Sequence, residues 1–315
     1  MKKILVLKFG GSSLSDSEKI LFVAQKIAYF YKKKHKVCAI LSAPADITDN
    51  LISLSKSKKF KIIPRELDAL ISCGEQISIA LMAMALKKIN ISAISLNSFQ
   101  IPICGSGKFQ NGKIREINAE NIKKELRHKV VLIPGFQAIN EKKEIITLGR
   151  GGSDLSAIAM AHFLKADSCV LFTDVDGVYS ANPSIIPDAV KLTEISSQEL
   201  MNLAKLGLEV RQLKSLEFAR KEKVDLYLSS TISKGKGTLI SYREPRDPRI
   251  NIIFNKDKEI FITGYMPYKA KDFNLKIKKL TKNKIKISKY AVSFISDFIE
   301  RDLKKAHDLF ITESH

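Results

Sequence analysis

Lys3-Ile4-Leu5-Val6-Leu7-Lys8-Phe9-Gly10-Gly11 decides the fold. It is a short, nearly continuous apolar run that stops at a glycine pair, which reads as a strand buried on both faces. Ser15-Asp16-Ser17-Glu18 follows with the S-x-x-E spacing of a capping box. Behind it Ile20, Val23, Ala24, Ile27 and Tyr31 recur at helical spacing, and Lys32 to Lys34 with Lys36 close the helix with positive charge. Val37–Leu41 is apolar again. Strand, glycine turn, helix and strand make the first unit of a parallel sheet.

The alternation continues outward from this unit. Pro64 opens a long helix to about Lys88, and Ile91–Leu96 is a strand. Gly105–Gly112 is a loop or hairpin. Val130–Ile133 runs into Pro134-Gly135, and Gly149-Arg150-Gly151-Gly152 is a tight turn before a helix capped by Ser153. Ser168–Phe172 is a buried strand, Ser196–Glu199 a second capping box, and Val224–Leu228 a late strand. The composition changes after Arg243, where Glu244-Pro245-Arg246-Asp247-Pro248 reads as a linker. Beyond it Leu275, Ile277, Ile285 and Ile287 alternate with lysines around Lys282-Asn283-Lys284, the pattern of a hairpin, and Asp302 caps a last helix. The expected division is an α/β domain at 1–243 and a small α+β appendage at 244–315.

Several function classes are excluded early. The chain has 53 basic and 33 acidic residues, a net charge of +20, yet the lysines are spread throughout and Trp is absent. No Cys/His finger or aromatic RNA-binding motif accompanies them, so a solvated basic surface is expected and no nucleic-acid partner. The near-apolar run around Ile77–Leu86 is too short to span a membrane. The N-terminal apolar stretch breaks at Lys8 without a cleavage site, and the chain reads as cytoplasmic. Cys38, Cys73, Cys104 and Cys169 are far apart and read as buried free thiols; the five histidines lack zinc-ligand spacing, so no metal site is expected.

The chemistry gathers at turns that follow strands. In open α/β sheets ligands bind outside the carboxyl ends of the strands, where glycines let backbone N–H groups approach anions. Walker A is absent, and Gly149-Arg150-Gly151 meets Asp154 where a third dinucleotide-binding glycine would stand. Lys8 ends a buried strand, which is costly unless it meets an anion. Thr173-Asp174-Val175-Asp176-Gly177 adds strand-end carboxylates of the kind that suit a magnesium–nucleotide site.

Seven short segments between residues 3 and 240 carry a resemblance. They are Lys8 to Ser13; Ser42-Ala43-Pro44-Ala45 with Thr48-Asp49; Ser72-Cys73-Gly74-Glu75-Gln76; Pro134-Gly135-Phe136; Gly149 to Ala157; Thr173 to Tyr179; and Gly237 to Ile240. In this order they resemble the aspartate kinases of the amino-acid kinase family. The resemblance implies a three-layer α/β/α sandwich of the carbamate kinase-like type, with substrate on its N-terminal half and nucleotide on its C-terminal half. It implies phosphorylation of the β-carboxylate of L-aspartate by ATP, with Mg2+ bound to the ATP, as the first step toward the aspartate-derived amino acids. Lys8 and Asp154 would be catalytic. Lys8, Gly10, Gly11, Ser13, Thr173, Asp174 and Tyr179 would hold ATP; Ser42, Thr48, Glu75, Arg150 and Ser153 would hold aspartate. A homodimer is implied as well.

The chain also departs from that pattern. The family's G-A-K-V-L-H-P segment is here Gly207 to Leu213, with Glu209 at the lysine position, leaving Lys205, Arg211 or Lys214 as substitutes. Ser184 stands where an arginine is common. After residue 247 there is room for one small regulatory domain of the ACT type, and Ala291–Phe310 resembles its final strand and helix. No counterpart of its first helix is read between Thr263 and Leu280, which implies a kinase insensitive to lysine and threonine. The alternatives are a kinase for another acidic amino acid and a non-catalytic regulatory subunit of the same fold.

Overall fold

The computed structural model describes residues 3–56, 61–206, 213–233, 235, 237–244, 249–265, 271–281, 283–287 and 291–311. In chain order the first part holds β1 (Ile4–Phe9), a 3-10 turn (Gly11–Leu14), α1 (Ser17–Lys32), β2 (Lys36–Leu41), α2 (Ile47–Ser55), α3 (Pro64–Ile71), α4 (Cys73–Lys88) and β3 (Ala93–Ser95). Then come β4 (Ile103–Lys108), β5 (Asn111–Ile117), α5 (Ala119–Glu125), β6 (Val130–Pro134), β7 (Gln137–Ile139), β8 (Ile145–Thr147), α6 (Gly152–Leu164) and β9 (Ser168–Thr173). They are followed by β10 (Glu194–Ser196), α7 (Ser197–Lys205), α8 (Leu213–Lys221), β11 (Leu226–Ser230) and β12 (Thr238–Ser241). The last part is β13 (Arg249–Lys256), β14 (Glu259–Tyr265), α9 (Lys271–Leu280), β15 (Ile285–Ile287), β16 (Ala291–Ile295) and α10 (Ile299–Phe310).

One eight-stranded sheet, ordered β10-β12-β11-β9-β1-β2-β6-β3, forms the middle layer. Its pairs are parallel except β11 with β12. Side chains alternate between its faces. Leu5, Leu7 and Phe9 of β1 pack with α1 and α4, while Val6 packs on the other face with α6. Both faces are covered, which is why the strands read as continuous apolar runs rather than alternating ones. The expected three-layer sandwich is what forms. The same alternation turns Lys8 toward α6, and this sets up the site.

A second sheet, β5-β4-β7-β8, stands beside the α6 face. A third, ordered β13-β14-β16-β15, carries α10 on a core of Ile253, Ile260, Val292, Phe294, Leu303, Ala306 and Phe310. Ala181 and Ile186, from the stretch between β9 and β10, are buried in that same core. There Ser180 accepts a backbone bond from Ile253 at 2.8 Å, and its hydroxyl lies 2.8 Å from His307 Nε2.

The structure corrects several expectations. Asp16, not Ser15, caps α1: its backbone is extended and its carboxylate accepts from Lys19 N at 2.9 Å. The long helix from Pro64 breaks at Ser72, whose carbonyl accepts instead from Gln137 Nε2 at 3.2 Å. Gly151 rather than Ser153 is the cap of α6, and Phe298 rather than Asp302 that of α10. The hairpin around residue 283 is overturned, because its first arm is α9. Ile277 and Leu280, one helical turn apart, face the α10 core, and the intervening lysines imitate a period of two. The same helix supplies what the sequence reading found missing between Thr263 and Leu280, so the ground for lost feedback control falls away. Of the four free cysteines, Cys38 and Cys169 are buried, but Cys73 and Cys104 are exposed. Together α3 and α4 run for 25 residues and hold an 18-residue window of mean hydropathy 1.6, enough to cross a membrane by length and composition. Yet the two helices are separate and α4 sinks Ile79, Met82 and Leu86 into the core.

Phe9 is fully buried and stacks on Phe172 with ring centroids 4.8 Å apart, joining the ends of β1 and β9. Phe9→Ala is expected to cost about 3–5 kcal/mol of unfolding free energy in a urea titration. A loss below about 1 kcal/mol would contradict this account of the core.

Candidate active site

The chain order of the sheet reverses at β1: the connection from β1 leads to β2 on one side, and β9 returns on the other. Ligands bind at such a switch point, outside the carboxyl ends of the strands. Lys8 pairs in register with Ile40 of β2 and Leu171 of β9, so those strands end at one level there. Gly11 follows as the chain leaves β1. A Cβ on Gly11 would sit 2.6 Å from the Ala43 carbonyl, so only glycine lets this turn close against the end of β2.

Lys8 points across to the first turn of α6, where its ammonium meets Asp154 Oδ1 at 2.6 Å. Both side chains are nearly inaccessible, 9% and 3% exposed. Losing either partner would strand a buried charge. Asp154 sits where the helix N-terminus already favours negative charge. Beside the pair opens a cavity of about 180 Å³, lined by Lys8, Ser42, Phe136 and the run Gly149 to Asp154. Arg150 is exposed at its rim, and among the described residues its guanidinium has no hydrogen-bond or ion-pair partner.

Glu75, on the first turn of α4, is 3% exposed. One carboxylate oxygen accepts from Ala43 N at 3.1 Å; the other is buried with no partner among the described residues. Burial pushes its pKa up to about 7, against the pull of the Ala43 N–H. An orphaned carboxylate oxygen of this kind suits a cationic ligand group. Ser42, whose carbonyl accepts from Ser78 Oγ at 2.6 Å, links the Glu75 side to the Lys8 side.

Of the substrate residues expected from sequence, Ser42, Arg150 and Ser153 line the cavity together with Lys8 and Asp154. Glu75 does not line it, but reaches the same segment through Ala43. Thr48 lies half-buried on α2, away from the lining.

Lys8 apart, the residues expected to hold a nucleotide are not in the cavity lining. Ser13 Oγ lies 2.8 Å from Thr231 Oγ1, tying the glycine turn to the end of β11. Thr173 closes on itself, its hydroxyl donating to the Val175 carbonyl at 2.9 Å. Asp174 is exposed at the end of β9. Tyr179 donates its hydroxyl to Asp176 at 2.8 Å, and Lys191 holds the other oxygen of Asp176 at 3.0 Å. Glu209 and Arg211 lie outside the described residues, while Lys214 donates to Asn111 Oδ1.

Sequence reading gave no role to three contributors. Phe136 walls the cavity in a left-handed conformation (φ 70°), which an aromatic residue adopts rarely and which nothing in the sequence announces. Thr231 had no motif around it. Lys26 of α1, outside every motif, donates its ammonium to the Ser230 and Thr231 carbonyls at 2.7 and 2.6 Å, 4.5 Å from the Phe172 ring centroid. Burial lowers its pKa.

Residues 3–230 match the amino acid kinase family. The chain is 39% identical over 260 residues to the aspartate kinase Ask_LysC of Stutzerimonas stutzeri, covering 81% of this chain and 63% of that protein. It is 38% identical over 261 residues to the aspartokinase of Pseudomonas aeruginosa, with the same coverage. The matched part thus spans less than two thirds of these relatives' length. Among solved structures, E. coli aspartokinase III in complex with aspartate and ADP superposes with a TM-score of 0.78 at 17% identity, over 98% of this chain and 99% of that one. This likeness concerns the fold.

The Glu75 environment predicts a stability effect. Its pKa rises from 4.5 in an unfolded chain to about 7 in the folded one. Between those values the folded state holds a proton that the unfolded state has lost, so stability falls as pH rises through this window. By linkage the cost approaches about 3 kcal/mol above pH 7. Glu75→Gln is therefore expected to melt higher than the parent at pH 8, with the difference shrinking toward pH 5. An equal or lower melting temperature at pH 8 would contradict it.

Proposed function

The chain belongs to the amino-acid kinase family, and from that premise we propose that it transfers the γ-phosphoryl group of ATP to the β-carboxylate of L-aspartate, giving 4-phospho-L-aspartate. The observation that carries this reading is the buried Lys8–Asp154 pair beside a cavity rimmed by Arg150, whose guanidinium has no partner among the described residues. The relatives named aspartate kinase support the choice of acceptor.

The chemistry needs little beyond position and charge. A β-carboxylate, with a reference pKa near ~4, is already an ionised nucleophile at neutral pH, so no general base is required. The obstacle is bringing one anion onto another. Lys8 supplies the cation at the point where the two would meet, and Asp154 holds that ammonium in place. Arg150 takes the substrate α-carboxylate, a role that suits a bidentate guanidinium. The open oxygen of Glu75 takes the α-ammonium, and Ser42 and Ser153 complete the pocket.

ATP lies along the ends of β9 and β11, near Gly10, Gly11, Ser13, Thr173 and Asp174. Tyr179 borders it, with its hydroxyl already engaged by Asp176. Magnesium comes with the nucleotide. Asp174 is the exposed carboxylate at that strand end, whereas both oxygens of Asp176 are engaged. Asp174 would hold the ion, which would supply neutralisation of phosphate charge there.

In this reading residues 1–243 are the catalytic domain and 244–315 an ACT-like regulatory or dimerisation region. The order β13-β14-β16-β15 with two helices supports that assignment. The protein acts in the cytoplasm at the head of the pathway to the aspartate-derived amino acids.

Two measurements test the proposal. With ATP, magnesium and L-aspartate, hydroxylamine is expected to trap an acyl phosphate. Arg150→Ala is expected to raise the aspartate KM about 100-fold with the ATP KM nearly unchanged, as for loss of a charge-assisted bidentate contact. No hydroxamate from folded parent protein would sink the reading. In the pH profile, Glu75 must be ionised to bind an ammonium, so the aspartate KM is expected to rise as pH falls below about 7. That dependence disappears in Glu75→Gln; a flat profile in the parent would assign the ammonium to another group.

A further inference from the structure

Asp68, on α3, is completely buried, and among the described residues no lysine, arginine or histidine pairs with it. Its charge is met by three donors instead. Oδ2 accepts from Gln110 N at 2.9 Å and from Thr147 N at 2.7 Å, and Oδ1 accepts from Thr147 Oγ1 at 3.0 Å. A carboxylate is the side chain that offers two acceptor oxygens to converging donors.

Each donor leads to the turn that carries Arg150. Thr147 ends β8, two residues before Gly149. Gln110 sits at the tip of the β4–β5 hairpin in a left-handed conformation (φ 64°), with its N–H on Asp68 and its carbonyl against Gly149. Gly149 has φ 76°, and a Cβ there would lie 2.8 Å from the Gln110 carbonyl. On its other side Asp68 belongs to the helix pair that presents Glu75. Its own carbonyl accepts from Ser72 N at 3.1 Å, just before α4 begins. Arg65 of the same helix reaches Glu144 Oε1 at 3.0 Å, in the turn between β7 and β8.

The geometry points to Asp68 as a positioning residue that fixes the separation between Arg150 and Glu75. This rests on the reading that those two side chains hold the two charged heads of an amino acid. Asp68 touches neither head. It joins the turn bearing the guanidinium to the helix bearing the carboxylate, so that a zwitterion of one length engages both. A displacement of either part loosens substrate recognition while leaving the nucleotide side, at β9 and β11, in place.

The test compares Asp68→Ala, Asp68→Asn and Thr147→Val in the full chain. For Asp68→Ala the aspartate KM is expected to rise at least about tenfold while the ATP KM stays within about twofold, the mark of lost positioning on one substrate. Asp68→Asn keeps one acceptor for the two N–H groups, and the Thr147 hydroxyl can turn to accept; it is expected to recover to within about threefold of the parent. Thr147→Val removes a single bond and should fall between them, and it carries the test if Asp68→Ala does not fold. Hydrogen exchange over residues 145–152 reads the same clamp without substrate and should quicken in Asp68→Ala and Thr147→Val. A loss of kcat alone with parent-like KM, an equal rise in both KM values, or parent-like exchange over 145–152 would overturn the assignment. If the parent protein neither phosphorylates nor binds aspartate, the functional reading fails, and exchange alone then decides whether Asp68 holds the turn.

Discussion

A buried ammonium is the constraint around which the molecule is organised. Lys8 stands at the end of the central strand of a sheet covered on both faces, where an unpaired charge would cost several kcal/mol. The alternation of β1 sends Leu7 and Phe9 into one apolar layer and Lys8 into the other. The charge is tolerated because α6 begins opposite it, with Asp154 on the first helical turn. The start of α6 is set in turn by the left-handed Gly151, and that turn is anchored to β8 and the β4–β5 hairpin. The arrangement keeps one cation largely out of reach of screening water.

The central fold was legible because its strands are buried on both sides and punctuated by glycine or proline. Ile4–Leu7, Val37–Leu41 and Val130–Pro134 are apolar throughout, which suits short buried strands between turn signals. Legibility failed where a local pattern imitated another period or where a distant partner decided. Lysines between the apolar residues of α9 suggested a strand, although Ile277 and Leu280 show the helical repeat when taken with α10. The break at Ser72 follows from a glutamine 65 positions away. Asp16 displaced Ser15 as a cap because the backbone turns extended one residue later than the motif implied.

The site divides in the same way. Lys8, Arg150, Asp154 and Ser153 were readable because they flank glycine turns at strand ends, where function concentrates. Thr48 had only its motif, and the structure leaves it outside the cavity lining. Lys26 and Asp68 act through backbone carbonyls and amides, and Thr231 through the Ser13 hydroxyl, all from other parts of the chain. No spacing rule connects residue 26 with 230 or residue 68 with 147, so such groups become visible only once the topology brings them together.

The stretch between β9 and β10 belongs to two cores at once. Val178 and Leu192 pack against the cluster on the α6 face of the main sheet, while Ala181 and Ile186 are buried beneath β13 and α10 with Ser180 hydrogen-bonded to His307. A protease cut between residues 244 and 248 would therefore not release an intact core of the main sheet. Lifting away the C-terminal unit would uncover Ala181 and Ile186 and strip Ser180 of two partners. The two parts of the chain should melt in one cooperative transition, despite the composition change that separates them in sequence.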